Sequence, residues 1–187
     1  MTSLSVARRE AARDIMAICR HDLDSRTLRA RIAARLRRAI PQDAFCFGAI
    51  DPWTLLVTDE LSENIPPSCT APATRNEYLI PDVDKFSVLA RSGRTTAILS
   101  QSTGGNPTES HRFRTVLPLI DARHEMRAVF VVDGRCWGGL AMFRNGRHPD
   151  FTHEDADLIR AVSVPVAAAL RRAACRPGET AGVTTDP

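Results

Sequence analysis

The feature that most narrows the fold is the run Val129-Phe130-Val131-Val132-Asp133-Gly134-Arg135-Cys136-Trp137. Its β-branched and aromatic residues favour extended chain, and Asp-Gly readily takes the positive φ values that a tight two-residue turn needs. The run predicts an antiparallel hairpin. The second strand continues as CWGGLAMF, and an earlier segment, Ala44 to Ile50 (AFCFGAI), has the same character. Both are apolar at odd and even positions alike, so both faces of the sheet they form must be covered.

The cover has to come from the rest of one domain. The chain has 187 residues, 43% of them hydrophobic, which supports one core and not two ordinary domains. From Ser5 to Arg20, Ala11, Ile15 and Ile18 recur at helical spacing, and Leu28, Ile32, Leu36 and Ile40 do so in a second helix that Asp24 or Ser25 can cap. After AFCFGAI, Asp51-Pro52-Trp53-Thr54 predicts a turn and Leu55 to Thr58 a return strand. Residues 60–76, with Pro66, Pro67 and Pro72, are expected to form a long loop. Asn76 to Ala90 is expected to be helical with a division at Pro81, and Thr95 to Leu99 to be a short strand.

The loop Ser100 to Gly105 leads into Asn106-Pro107-Thr108-Glu109, which predicts a cap for a helix through Phe113 and Val116. The last helix starts at Thr152, with Asp155 completing a capping box and Pro165 in its interior. The fold class that follows is α+β: about five antiparallel strands in one sheet, the terminal helices on one face, and an irregular helical and loop cover on the other. The expected division is an N-terminal helix over 1–23, the main domain over 24–176 and a polar tail over 177–187.

Residues 1–40 carry ten arginines against Glu10, Asp14, Asp22 and Asp24, although the whole chain stands at only +3. This basic end could meet nucleic-acid phosphates, or it could be a solvated surface or dimer rim. Aromatic residues, 5% of the chain, are not interleaved with it, which removes the stacking platform of single-strand binders. No stretch approaches the roughly 20 apolar residues that span a bilayer, so a cytoplasmic protein without membrane contact is expected. Cys19, Cys46, Cys69, Cys136 and Cys175 form no CxxC pair, and the five histidines lack ligand spacing, so no metal site is expected. Ser-Thr-Gly-Gly at 102–105 lacks the continuation of a phosphate-binding loop and is read as a turn.

An irregular cover packs less completely than continuous helices, so the insert side is either a solid core or the wall of a ligand cavity. Phe47, Phe130 and Trp137 from the sheet, with Tyr78 and Phe86 from the cover, are the candidate ligand-binding residues; the alternative is that all five are ordinary core. Tyr78 and Trp137 join apolar surface to a hydrogen-bonding group suited to orienting an effector.

The ordered set Arg75-Asn76-Glu77-Tyr78, Asp82-Val83-Asp84-Lys85-Phe86, Ser102-Thr103-Gly104-Gly105, Arg127-Ala128-Val129-Phe130, Cys136-Trp137-Gly138 and Pro149-Asp150-Phe151-Thr152 resembles the GAF-type sensory domain of actinobacterial LuxR-type helix-turn-helix regulators. The resemblance spans about Leu28 to Arg172. It implies a cytoplasmic, non-enzymatic sensor with an antiparallel sheet of five or six strands and a pocket on one face. It also implies a homodimer through the terminal helices, with Ile15, Ile18, Ile159 and Val166 as the expected seam. DNA would be contacted only through a further domain, since no helix-turn-helix pattern follows Arg176 here. The effector is an unknown small molecule and the cofactor is unknown, since GAF domains as a class bind cyclic nucleotides, haem, bilins or small organic effectors, or nothing at all. Free methionine sulfoxide reductases also resemble GAF domains, and for such thiol chemistry Cys69, expected on an accessible loop, is the candidate.

Overall fold

The computed structural model describes residues 5–176; the polar tail expected over 177–187 lies outside the described residues. Two helices come first, α1 (Val6–Ile18) and α2 (Ser25–Ala39), the second capped by the Asp24 carboxylate, which accepts from the Thr27 N–H at 2.8 Å. Their apolar stripes, with Ile15, Leu28, Ile32 and Leu36 buried, face the sheet side and the last helix.

Strand β1 (Ala44–Ile50) is followed by a turn in which the Asp51 carboxylate accepts from the N–H groups of Trp53 and Thr54. The return strand β2 is Val57–Glu63, not Leu55 to Thr58. Leu55 has a φ of 61°, which excludes it from a strand, and the backbone pairing with β1 continues to Glu63. The expected loop over 60–76 is thereby replaced. It holds the end of β2, a 3₁₀ turn at Pro67–Cys69 and helix α3 (Thr70–Leu79), with Pro67 in the first helical turn, where a missing N–H is tolerated.

Pro81 divides α3 from α4 (Phe86–Ser92), as expected. The short strand β3 (Thr96–Ile98) runs directly into α5 (Leu99–Ser102), so the 100–105 loop is partly helical. Pro107–Glu109 is only a 3₁₀ turn; the helix through Phe113 is α6 (His111–Thr115), and its cap is Ser110, whose Oγ accepts from the Phe113 N–H. A third 3₁₀ turn, Leu117–Ile120, leads to the hairpin of β4 (His124–Val132) and β5 (Arg135–Arg144). Asp133 and Gly134 make its turn with φ of 51° and 70°. Helix α7 (His153–Ala174) carries the reciprocal Thr152–Asp155 cap and holds Pro165 in its interior.

The sheet is fully antiparallel in the order β2-β1-β5-β4-β3, an α+β fold with a layer on each face. Side chains alternate along β4 and along β5 from Gly138 on; a bulge opposite Phe130 and Val131 leaves Trp137 and Gly138 on the same face. Met126, Ala128, Phe130, Leu140 and Met142 meet α1, α2 and α7, while Val129, Ala141 and Phe143 face α4, α6 and the 3₁₀ turns. Two adjacent glycines of β5 set the spacing of both layers. A Cβ on Gly138 would lie 2.7 Å from Leu170 Cδ1 of α7, and one on Gly139 3.0 Å from the Phe86 ring of α4. Ile15, Ile159 and Val166 are each 0% exposed within this one chain, so they build its own core and are not available as an intermolecular seam.

Candidate functional site

On the insert face β4 places Glu125 and Arg127 two residues apart, side by side with Ala141 and Phe143 of β5. Such charges are tolerated under a cover only when every one is paired. Glu125, 1% exposed, accepts from Arg127 Nε at 2.8 Å and from Arg112 Nε of α6 at 2.8 and 3.0 Å. Arg127 Nη1 donates to Glu77 Oε2 of α3 at 2.7 Å, and the other Glu77 oxygen accepts from the Phe86 N–H at 2.8 Å. The Arg127 guanidinium also sits 4.6 Å from the centre of the Phe86 ring.

A second branch runs through Asp82, which accepts from Asn76 Nδ2 at 2.8 Å, the Arg112 N–H at 2.7 Å and Ser110 Oγ at 3.1 Å. The network therefore ties α3, α4 and α6 to the sheet. Burial acts to raise the pKa of Glu125, but the charges of Arg112 and Arg127 outweigh it and hold the carboxyl below its usual range. Asp82 is likewise held low: its hydrogen bonds and the Arg112 charge outweigh desolvation.

Beside this network lies a cavity of about 340 Å³ between β1, β2 and β5 and the layer of α3, α4 and α6. Ile65, Phe86, Val116, Ile120, Ala141 and Phe143 make its apolar wall, and Arg112, Arg127, Glu77, Asp59 and Glu60 contribute polar groups. Tyr78 closes one edge, its hydroxyl oxygen accepting from the Val57 N–H of β2 at 2.8 Å. The volume is in the range of small-molecule pockets. A groove of about 400 Å³ at the far edge, near β3 and the start of α7, is lined by cations already engaged: Arg94 pairs with Asp84 and Arg160 donates to Thr96.

No family model matches the sequence and no curated protein does, whereas solved structures match it closely in shape. The GAF domain of a phosphoenolpyruvate-protein phosphotransferase from Acinetobacter superposes with a TM-score of 0.65 at 11% identity, over 94% of this chain and 99% of that one. The fold is that of a GAF domain. The same fold is seen in the N-acylhomoserine lactone dependent LuxR family transcription factor CepR2 of Burkholderia cenocepacia (TM-score 0.52, 14% identity, 91% and 95% covered). The free methionine-R-sulfoxide reductase of Neisseria meningitidis, in complex with its substrate, is also similar (TM-score 0.58, 15% identity, 93% and 95% covered).

Within this GAF fold the five aromatic candidates separate. Tyr78 and Phe86 line the cavity. Phe47 and Phe130 lie on the opposite face, their ring centres 5.2 Å apart in the core under the terminal helices, and Trp137 packs against that same core. The structure does not bring these three to the cavity. The side chains that the sequence reading missed are Glu77, Arg112, Glu125 and Arg127. A signal existed for two of them, since Glu125 and Arg127 alternate with Met126 and Ala128 in a strand that is otherwise apolar after His124. Nothing local marks Arg112. Cys69, expected to be accessible, is 2% exposed and faces the cavity with Cys46.

Proposed function

We propose that this domain senses a small molecule bound between the sheet and the insert, as the regulatory part of a cytoplasmic, homodimeric LuxR-type regulator whose DNA contacts belong to a separate domain. The observation that carries the reading is the cavity walled by Phe86, Val116, Ile120 and Phe143 and floored by the Arg112–Glu125–Arg127–Glu77 network. The likeness to a LuxR family factor supports the regulatory context.

The architecture also offers a route from ligand to helices. Asp59 of β2 lines the cavity and pairs with Arg29 of α2, a residue 0% exposed that also donates to the Phe47 carbonyl of β1 at 2.7 Å. A ligand that moves β2 would change how α2 is held, and only such differential contact between bound and free forms can carry a signal.

The reductase reading gains less support. It needs an accessible thiolate, but burial pushes the thiols of Cys46 and Cys69 upward, in Cys46 despite the opposing charges of Arg127 and Arg29. Binding of nucleic acid by the first helices is also less favoured, since Arg8, Arg26, Arg29, Arg35 and Arg37 all form ion pairs within the chain.

The test is a thermal-shift screen of neutral, anionic and cationic fragments against the wild-type domain and Ala141→Leu, which adds bulk to the cavity wall opposite Arg127 and keeps every charge of the network. Saturable stabilisation of the wild type that disappears in the variant is expected. Hits that stabilise both equally would place the binding elsewhere and end this reading.

A further inference from the structure

We infer that the cavity takes an amphipathic cation, an amine on an apolar stem, whose charged head sits at Glu60 in the mouth and whose stem lies inside against Phe86, Val116 and Ile120. The inference rests on the sensory reading above and names the ligand class for it. It begins with the direction of one side chain. Along β2, Asp59 pairs with Arg29 of α2 and Leu61 packs with the core under the terminal helices, so Glu60 between them points to the insert side. There it lines the cavity, and its carboxylate accepts from the Cys46 thiol of β1.

The lining grades from polar to apolar with depth. Glu60, Thr74 and Tyr78 are exposed, so the cavity opens between the edge strand β2 and α3, whereas Phe86, Val116 and Phe143 at its inner end are buried. Glu60 lies opposite Gly48 and Gly48 opposite Gly139, above which the Phe86 ring stands. Two strand spacings, about 10 Å in all, therefore separate Glu60 from the ring. A stem of several carbons spans that distance.

Charge then selects the head. Arg112 and Arg127 are held by Glu125, Glu77 and Asp82, and Asp59 is answered by Arg29 and Arg26. Glu60 is the one charged group of the lining that forms no ion pair among the described residues. An anion would meet Glu60 at the mouth and find no free cation further in. An ammonium donates to Glu60 and, at the exposed mouth, keeps part of its water, so the pair forms without the cost of burying two ions. A neutral head gains no such attraction. The stem leaves water for the apolar inner wall whichever head it carries, so the stem supplies affinity and the head the selection.

The test titrates three probes of equal chain length, octylammonium, octanamide and octanoate, at pH 7 and low salt into protein carrying ¹³C-labelled Ile and Val methyl groups. Val57, Ile65, Val116 and Ile120 report from the cavity wall. Octylammonium is expected to shift these methyls saturably, with a Kd about fivefold below that of octanamide and at least about tenfold below that of octanoate. Glu60→Gln, a change to an exposed side chain, is expected to erase the preference for the cation over the amide. If octanamide or octanoate binds the wild type as tightly as octylammonium, or Glu60→Gln keeps the preference, the ligand class is overturned while the cavity reading stands. If no probe shifts the wall methyls, or if octylammonium binds Ala141→Leu unchanged, both fall together.

Discussion

The two faces of the sheet are closed by opposite strategies. Under α1, α2 and α7 the filling is mainly apolar, with Phe47, Phe130, Met126, Leu140, Ile159 and Val166 in one continuous cluster, and Arg29 and the Arg144–Asp155 pair are the charges buried beside it. Under α3, α4 and α6 a smaller cluster of Phe86, Leu89, Leu117, Ala141 and Phe143 shares the face with four interlocked charged side chains and a cavity. Long amphipathic helices lay unbroken stripes on a sheet and leave no space. Short helices joined by turns cannot, and here hydrogen-bonded charges hold them in place instead. The face with the less regular cover is the one suited to admit a ligand, because its stability depends less on close packing.

Substitution of one aromatic ring on each face tests this contrast most strongly. Phe130→Ala, fully buried beside Phe47, should cost about 3–5 kcal/mol in urea unfolding. Phe86→Ala should cost clearly less, because the lost ring already borders open space. Equal losses would show that the two faces are packed alike.

Removal of one charge from the insert network comes next. Glu125→Gln leaves Arg112 and Arg127 short of a buried counter-charge, and a loss of about 3 kcal/mol is expected by the same measurement. A loss under about 1 kcal/mol, as for exposed pairs, would mean that the network is hydrated.

Acid should act on the same place. Glu125 and Asp82 are held below their ordinary pKa, so their contribution to stability is complete above about pH 4–5 and is lost as pH falls through their lower folded-state values. The melting temperature should therefore decline below pH 4, and Glu125→Gln should decline less steeply than the wild type. An identical decline in both would remove Glu125 from the acid response.

The smallest effect concerns the strand that both layers touch. A Cβ on Gly138 meets Leu170 of α7 and the Gly48 carbonyl at 3.2 Å, so Gly138→Ala should cost about 1–3 kcal/mol through the helical face alone. Methyl shifts confined to Leu170 and its neighbours, with Val116 and Ile120 unmoved, would confirm that the two faces respond separately.

Much of this was legible in the residues. The Asp133-Gly134 turn, the Thr152–Asp155 cap, the Asp24 cap and strand AFCFGAI all form where local chemistry puts them, since turn dihedrals, caps and alternation are properties of a few adjacent residues. Residues 60–76 read as a loop in the sequence because Pro66 and Pro67 suggest a break, whereas they only precede a helix, and because the strand before them is polar and pairs on one side only. The aromatic candidates divided between the faces because one residue's step along a strand reverses its side, and the sequence does not say which side holds the cavity.

Local chemistry alone thus determined that the chain would build an antiparallel sheet covered on both faces, with long helices towards its ends. Only the tertiary structure decided that Glu77, Arg112, Glu125 and Arg127, up to fifty positions apart, would meet beneath one of those covers. Turns and caps are settled by neighbours in the chain, but a buried charge is settled by whichever distant partner folding delivers to it.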